Sequence, residues 1–195
     1  MLTTSTALIV ELIRRYSVLG FDCSLIEVQK LAWFLERAIR AYALPDPLDL
    51  LFNANRYGPY AHRLTKLLEQ VDGSYLECDK QLTDAAPLDC VWIRREREAE
   101  LSAYLASAEV APYREVLERV GALIDGYESP FGMELLATVD WLLTREGTPP
   151  ETTAILAALA HWPAGPEHAR RKQAIFDART IDLALKRLGT RFAFQ

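Results

Sequence analysis

The sequence predicts a mainly α-helical fold of α+β type, a multi-helix bundle carrying a small β element of two or three short strands. Three observations predict it. Apolar residues recur at helical spacing over most of the 195 residues. Prolines and glycines divide those stretches into lengths of about 8 to 20 residues, the usual range of globular helices. Only brief apolar runs, at 48–53 and 90–93, read as strand. Half of the residues are apolar, enough for one buried core, and the length suits a single domain over residues 1–195.

The first helix is expected over 4–18, where Leu8, Ile9, Leu12 and Ile13 share a face before Gly20 ends it. Ser24 opens the second with a capping box, its hydroxyl matched to the Glu27 amide and the Glu27 carboxylate to the Ser24 amide. That helix should reach Tyr42. Val28, Leu31, Ala32, Phe34, Leu35, Ala38 and Ile39 cover so much of its circumference that it belongs at the centre of a core. A turn at Pro45–Pro47 leads into an expected strand at 48–53.

Pro59 in Tyr57-Gly58-Pro59-Tyr60 suits the first position of a helix over 59–72, closed by Gly73. The polar stretch 74–89 reads as strand or loop, and Cys90–Ile93 as a strand. Helices are then expected over 95–107 and 112–125. In the latter Tyr113, Leu117, Val120 and Ile124 form an apolar stripe, with Glu115, Glu118 and Asp125 opposite it. Ser129-Pro130 starts another helix ending at Gly147. Thr148 to Glu151 reads as a capping box for a helix ending near Trp162, and two last helices are expected over 166–177 and 180–188.

The net charge of −5 is unevenly spread. Residues 1–80 carry nine Lys/Arg against ten Asp/Glu, 81–165 six against fourteen, and 166–195 seven against three. An acidic centre repels nucleic acid and favours a basic partner. No apolar run reaches membrane-spanning length and no signal peptide is evident. The three cysteines, Cys23, Cys78 and Cys90, form no CxxC pair, so neither a disulfide framework nor a zinc site is indicated, and a cytoplasmic setting fits.

The patterns that announce catalysis, GxSxG, a Walker loop, GxGxxG and HExxH, are absent, and neither metal nor cofactor is expected. His62, His161 and His168 read as surface or capping residues. A Cys23–His62 nucleophilic pair is the one enzymatic candidate, and an apolar filler role for Cys23 is the simpler reading. Trp33, Trp92, Trp141 and Trp162 read as core first and interface second.

Five ordered segments carry a resemblance. Leu25 to Leu35 (LIEVQKLAWFL), Asn55 to Tyr60 (NRYGPY), Gly73-Ser74-Tyr75, Tyr127 to Leu136 (YESPFGMELL) and Arg171-Lys172 before Phe176 resemble the C-terminal toxin-binding domain of DarG-type antitoxins, and more distantly the Panacea (SocA-like) antitoxin domain. Such proteins join a macrodomain that removes ADP-ribose from DNA to a domain that binds the toxin DarT, an ADP-ribosyltransferase acting on thymidine in single-stranded DNA. With the first helix leading straight into the second, no macrodomain is expected here. The resemblance therefore implies a non-enzymatic antitoxin domain that neutralises a DarT-type toxin, with the acidic surface filling its DNA channel.

Arg56, Tyr57 and Tyr60, together with Glu115, Glu118 and Asp125, are the expected partner contacts. Gln29, Lys30 and Trp33, and Gly58 with Pro59, are expected to maintain the fold. The alternative is a nucleic-acid-binding module using Arg170, Arg171, Lys172, Arg179, Lys186, Arg187 and Arg191 as phosphate contacts, although overall acidity makes direct nucleic-acid binding unfavourable.

Overall fold

The computed structural model describes residues 2–18, 20 and 23–191. Within them the chain forms nine α-helices: α1 (Thr4–Val18), α2 (Leu25–Ala41), α3 (His62–Glu69), α4 (Glu98–Leu105), α5 (Arg114–Ile124), α6 (Pro130–Thr144), α7 (Thr152–Leu159), α8 (Pro166–Ile175) and α9 (Ala178–Arg191). The strands are β1 (Cys23–Ser24), β2 (Asn53–Asn55), β3 (Gly58–Tyr60), β4 (Leu76–Cys78) and β5 (Cys90–Ile93). No helix among the described residues is long and apolar enough to cross a membrane.

The structure is mainly helical, and the expected α+β fold with its single β element is corrected to a mostly α fold. Instead of one element of two or three strands, five short strands make two separate antiparallel sheets, ordered β1-β5-β4 and β2-β3. Strands of two or three residues are too short to display period-2 alternation, so pairing across the fold decides them. The expected strand at 48–53 is not one. Leu48 and Leu50 are buried there and Leu51 is 70% exposed, so the side chains alternate, but pairing begins only at Asn53. Pro59 lies in β3 opposite Ala54, and α3 starts at His62.

Helix α2 sits at the centre because nearly every residue of it is buried, as its apolar circumference predicts. It packs against α1, α5, α6 and β3, while α6 in turn packs against α7 and α9. The Ser24 capping box forms, with the Ser24 amide donating to Glu27 Oε2 at 2.7 Å. The same carboxylate accepts the Tyr16 hydroxyl, tying α1 to α2. At the other end of α2, Asp140 of α6 accepts from Trp33 Nε1 at 2.8 Å and from both sides of the Arg37 guanidinium at 3.1 and 3.2 Å.

Ser129 caps α6 by accepting the Gly132 amide at 3.0 Å. A side chain at 132 would start 2.6 Å from the Tyr127 carbonyl oxygen, so this cap needs glycine. The expected Thr148–Glu151 box does not form. Glu151 is itself the N-cap of α7 and no side chain caps it.

Candidate functional site

The β2-β3 hairpin turns through Arg56 and Tyr57, with Asn55 paired to Gly58. Gly58 takes φ +96°, a conformation that costs glycine little. Its backbone also lies hard against two helices: a Cβ there would stand 3.2 Å from Thr138 Oγ1 and 3.3 Å from Lys30 Cε. Glycine is thus required twice over, by conformation and by space.

Helix α2 grips the strand that follows. Gln29 reads the Ala61 backbone as a β-strand would, accepting its amide at 2.8 Å and donating to its carbonyl at 3.2 Å. Lys30 Nζ donates to the Pro59 carbonyl at 2.8 Å. From the other side Trp162 Nε1 donates to the Asn55 carbonyl at 3.0 Å, and Arg171 stacks over the Tyr57 ring at 4.8 Å. Backbone groups at the turn are therefore held by α2, α8 and Trp162 together.

Behind the hairpin lies a buried charge cluster. Arg171 forks onto Glu134 at 2.5 and 2.9 Å. Lys172, with no exposed surface, donates to Glu134 Oε1 at 2.9 Å and to Thr138 Oγ1 at 3.0 Å. Its ammonium also lies 4.6 Å from the Trp162 ring centre. Burial by itself would push the Glu134 carboxyl up, but the hydrogen bonds and charges of Arg171 and Lys172 hold it below its usual value. Burial pushes the Lys172 ammonium down to about 8, against the opposing pull of Glu134. Lys30 goes further, to about 7, through burial and repulsion from Lys172.

In front of the cluster a cleft of about 490 Å³ opens between the hairpin, the start of α2, the end of α3 and the segment from Leu82 to Pro87. Gln29, Lys30, Asn55, Arg56, Tyr57 and Tyr60 line one part of it, while Leu25, Ile26, Leu68, Leu82, Ala85 and Pro87 line the other. No Asp or Glu is among the described lining residues. With the exposed Arg56 and no carboxylate among its described lining, the cleft suits an anion.

The expected contacts separate in space. Arg56, Tyr57 and Tyr60 meet at this cleft. Glu115, Glu118 and Asp125 belong to α5 and its C-cap, where Glu115 accepts the Tyr42 hydroxyl at 2.9 Å and Glu118 pairs with Arg15 at 2.9 Å. Two of the three acids are therefore engaged within the fold.

The alternative phosphate contacts fare worse. Lys172 is buried, Arg171 serves Glu134, Lys186 pairs with Asp182 at 2.6 Å, and Arg187 donates to the Ala122 and Leu123 carbonyls. Arg170 and Arg179 are exposed, and the Arg191 side chain lies outside the described residues. Cys23 is fully buried with its thiol pushed well up by burial, and His62 is exposed at the start of α3, so they form no nucleophilic pair. Among the described residues no cluster of His, Cys, Asp and Glu could hold a metal ion.

The sequence reading takes Lys30 as a structural residue and gives Glu134, although it falls within the quoted Tyr127–Leu136 segment, no role of its own. Glu134 falls within an apolar helix, Met133 to Leu136, and a carboxylate in that setting signals a buried partner.

No family model matches the chain. It is 34% identical over 146 residues to a DNA ADP-ribosyl glycohydrolase of Thermus aquaticus, covering 75% of this chain and 38% of that protein. It is 31% identical over 169 residues to the DNA ADP-ribosyl glycohydrolases of Mycobacterium bovis and Mycobacterium tuberculosis, covering 84% of this chain and 43% of each.

This chain is similar to part of the DNA ADP-ribosyl glycohydrolases. It spans about two-fifths of the length of these relatives. The likeness corrects the expectation of a non-enzymatic toxin-binding antitoxin domain, because the relatives are named for an enzymatic activity, not for toxin binding. The expected link to ADP-ribosylation and to DarG-like proteins is the part of that resemblance the relatives support.

Proposed function

We propose that this chain takes part in removing ADP-ribose from DNA, as a portion of a DNA ADP-ribosyl glycohydrolase, and that its cleft receives the anionic substrate or product. The relatives supply the reaction class. The observation that carries the site is a cleft whose described lining includes Arg56 and Lys30 and no carboxylate. A glycohydrolase breaks the bond between ribose C1″ and the modified base and adds water across it, so the ligand brings phosphates and a base to be held during the reaction.

Arg56 suits phosphate, since its guanidinium can offer two parallel N–H donors. Tyr57 presents a π face beside it. A DarT-type ADP-ribosyltransferase enters this reading as the partner enzyme that writes the mark on DNA.

The test is release of ADP-ribose from an ADP-ribosylated single-stranded oligonucleotide by the full-length protein carrying this chain, followed by mass spectrometry. Arg56→Gln with Tyr57→Ala should raise KM at least tenfold. Unchanged KM and kcat in the doubly substituted protein would remove the cleft from the reaction.

A further inference from the structure

Arg56 and Tyr57 form the tip of a hairpin, a place where a short connection ordinarily samples several shapes. Here one side chain from α8 reaches both residues. The Arg171 guanidinium lies 4.8 Å from the Tyr57 ring centre, and its Nη1 donates a long hydrogen bond of 3.4 Å to the Arg56 carbonyl. It engages Arg56 through the backbone and Tyr57 through the ring. The Arg56 guanidinium lies 5.4 Å from the same ring centre, so the placement of Tyr57 bears on where the Arg56 charge stands.

Arg171 is itself fixed. It forks onto Glu134 at 2.5 and 2.9 Å, a planar geometry that lysine cannot reproduce. Glu134 is buried in α6, and Lys172 donates to the same carboxylate at 2.9 Å. The fork also resolves a conflict of charge. Two guanidiniums drawn to one ring repel each other, and Glu134 offsets the charge of Arg171. No carboxylate among the described lining of the cleft offsets that of Arg56. Arg171 is not among those lining residues, so its influence on a ligand there passes through Arg56 and Tyr57.

We propose that Arg171 is a positioning residue for ADP-ribose release: anchored by Glu134, it holds the hairpin tip in the shape that presents Arg56 and Tyr57 to the ligand. This rests on the reading that the cleft receives an anionic substrate or product. Arg171 takes no part in bond breaking, so its loss acts on binding and not on chemistry.

The experiment is a double-mutant cycle in the full-length protein carrying this chain, read by ADP-ribose release from an ADP-ribosylated single-stranded oligonucleotide. Arg171→Lys keeps a cation beside Glu134 but loses the fork and the flat face over Tyr57. It should raise KM at least fivefold and change kcat less than twofold. Added to Arg56→Gln with Tyr57→Ala, it should raise KM less than twofold further, because residues acting as one unit are not additive. NMR relaxation of the chain reads the tip without any ligand. Backbone order parameters at Arg56 and Tyr57 should fall from about 0.85 to below about 0.6 in Arg171→Lys, while Ala61, held by Gln29, keeps its order.

Both changes are required: an unchanged KM or an unchanged tip in Arg171→Lys overturns the proposal and leaves the cleft's role standing. An additive rise in KM in the triple variant also overturns it, by placing Arg171 on the ligand. A matching loss of order at Ala61 marks general loosening and overturns it as well. If instead Arg56→Gln with Tyr57→Ala leaves KM unchanged, the reading of the cleft fails first and takes the positioning role with it.

Discussion

Glu134 accepts a hydrogen bond of 2.9 Å from Lys172, a lysine with no solvent-exposed surface. Because Arg171 forks onto the same carboxylate, removing its charge strands two cations in a buried setting. Glu134→Gln should therefore destabilise the chain by about 3–5 kcal/mol, the usual cost of breaking a buried pair. Urea denaturation reads this directly. A loss under about 1 kcal/mol would mean that the cluster is hydrated and not the closed network described.

Lys30 sets a pH dependence. Burial, with repulsion from Lys172, lowers its ammonium from 10.5 to about 7, and Lys172 itself falls to about 8. Glu134 is the carboxylate whose charge opposes both shifts. Between these values and 10.5 the unfolded chain binds more protons than the folded one, so the pair's contribution to stability rises with pH. That contribution is lost as pH falls through about 8 and then 7. Lys30→Met should flatten the rise in unfolding free energy measured between about pH 6.5 and 9. A slope identical to that of the parent protein would show that Lys30 does not titrate there.

Gly58 should tolerate no side chain. Alanine at this position would adopt φ +96° and press on Thr138 and Lys30 at 3.2 and 3.3 Å. Gly58→Ala should cost about 1–3 kcal/mol. Because the hairpin forms one wall of the cleft, the same substitution should weaken ligand binding. Thermal melts and titration of the same preparation check both. Gly73→Ala, also at positive φ but with open space around it, should leave binding unchanged and isolates the effect of the close approach.

The acids of α5 make the opposite case. Glu118 is 67% exposed in its pair with Arg15, and such pairs contribute about 0–1 kcal/mol. Glu118→Gln should shift stability by less than about 1 kcal/mol and leave the KM for ADP-ribose release by the full-length protein as it was. A tenfold rise in that KM on Glu118→Gln would place the ligand on α5 and not at the hairpin.

Some of this architecture was readable from residue order. The Ser24 capping box, the buried circumference of α2 and the helical second half follow from local rules, because a capping hydroxyl and a 3.6-residue period act within a few residues of themselves. Arg56, Tyr57 and Tyr60 are expected as partner contacts through a resemblance and not through any periodic signal, and the structure places them together at the cleft. Gln29 and Lys30 were read correctly as parts of the fold, yet Lys30 also faces the cleft, a double duty that spacing does not reveal.

What the sequence alone determined is where most of the helices run and which of them is central, since those depend on contacts a few positions apart. The tertiary structure decided the rest. Two-residue and three-residue strands exist only through their partners, Pro59 is a strand residue because Ala54 stands opposite it, and Glu134 is a counter-ion because α8 brings Arg171 and Lys172 to it from 37 and 38 positions away. Charges brought together over such separations leave no periodic trace, and the cleft they border is a property of packing rather than of pattern.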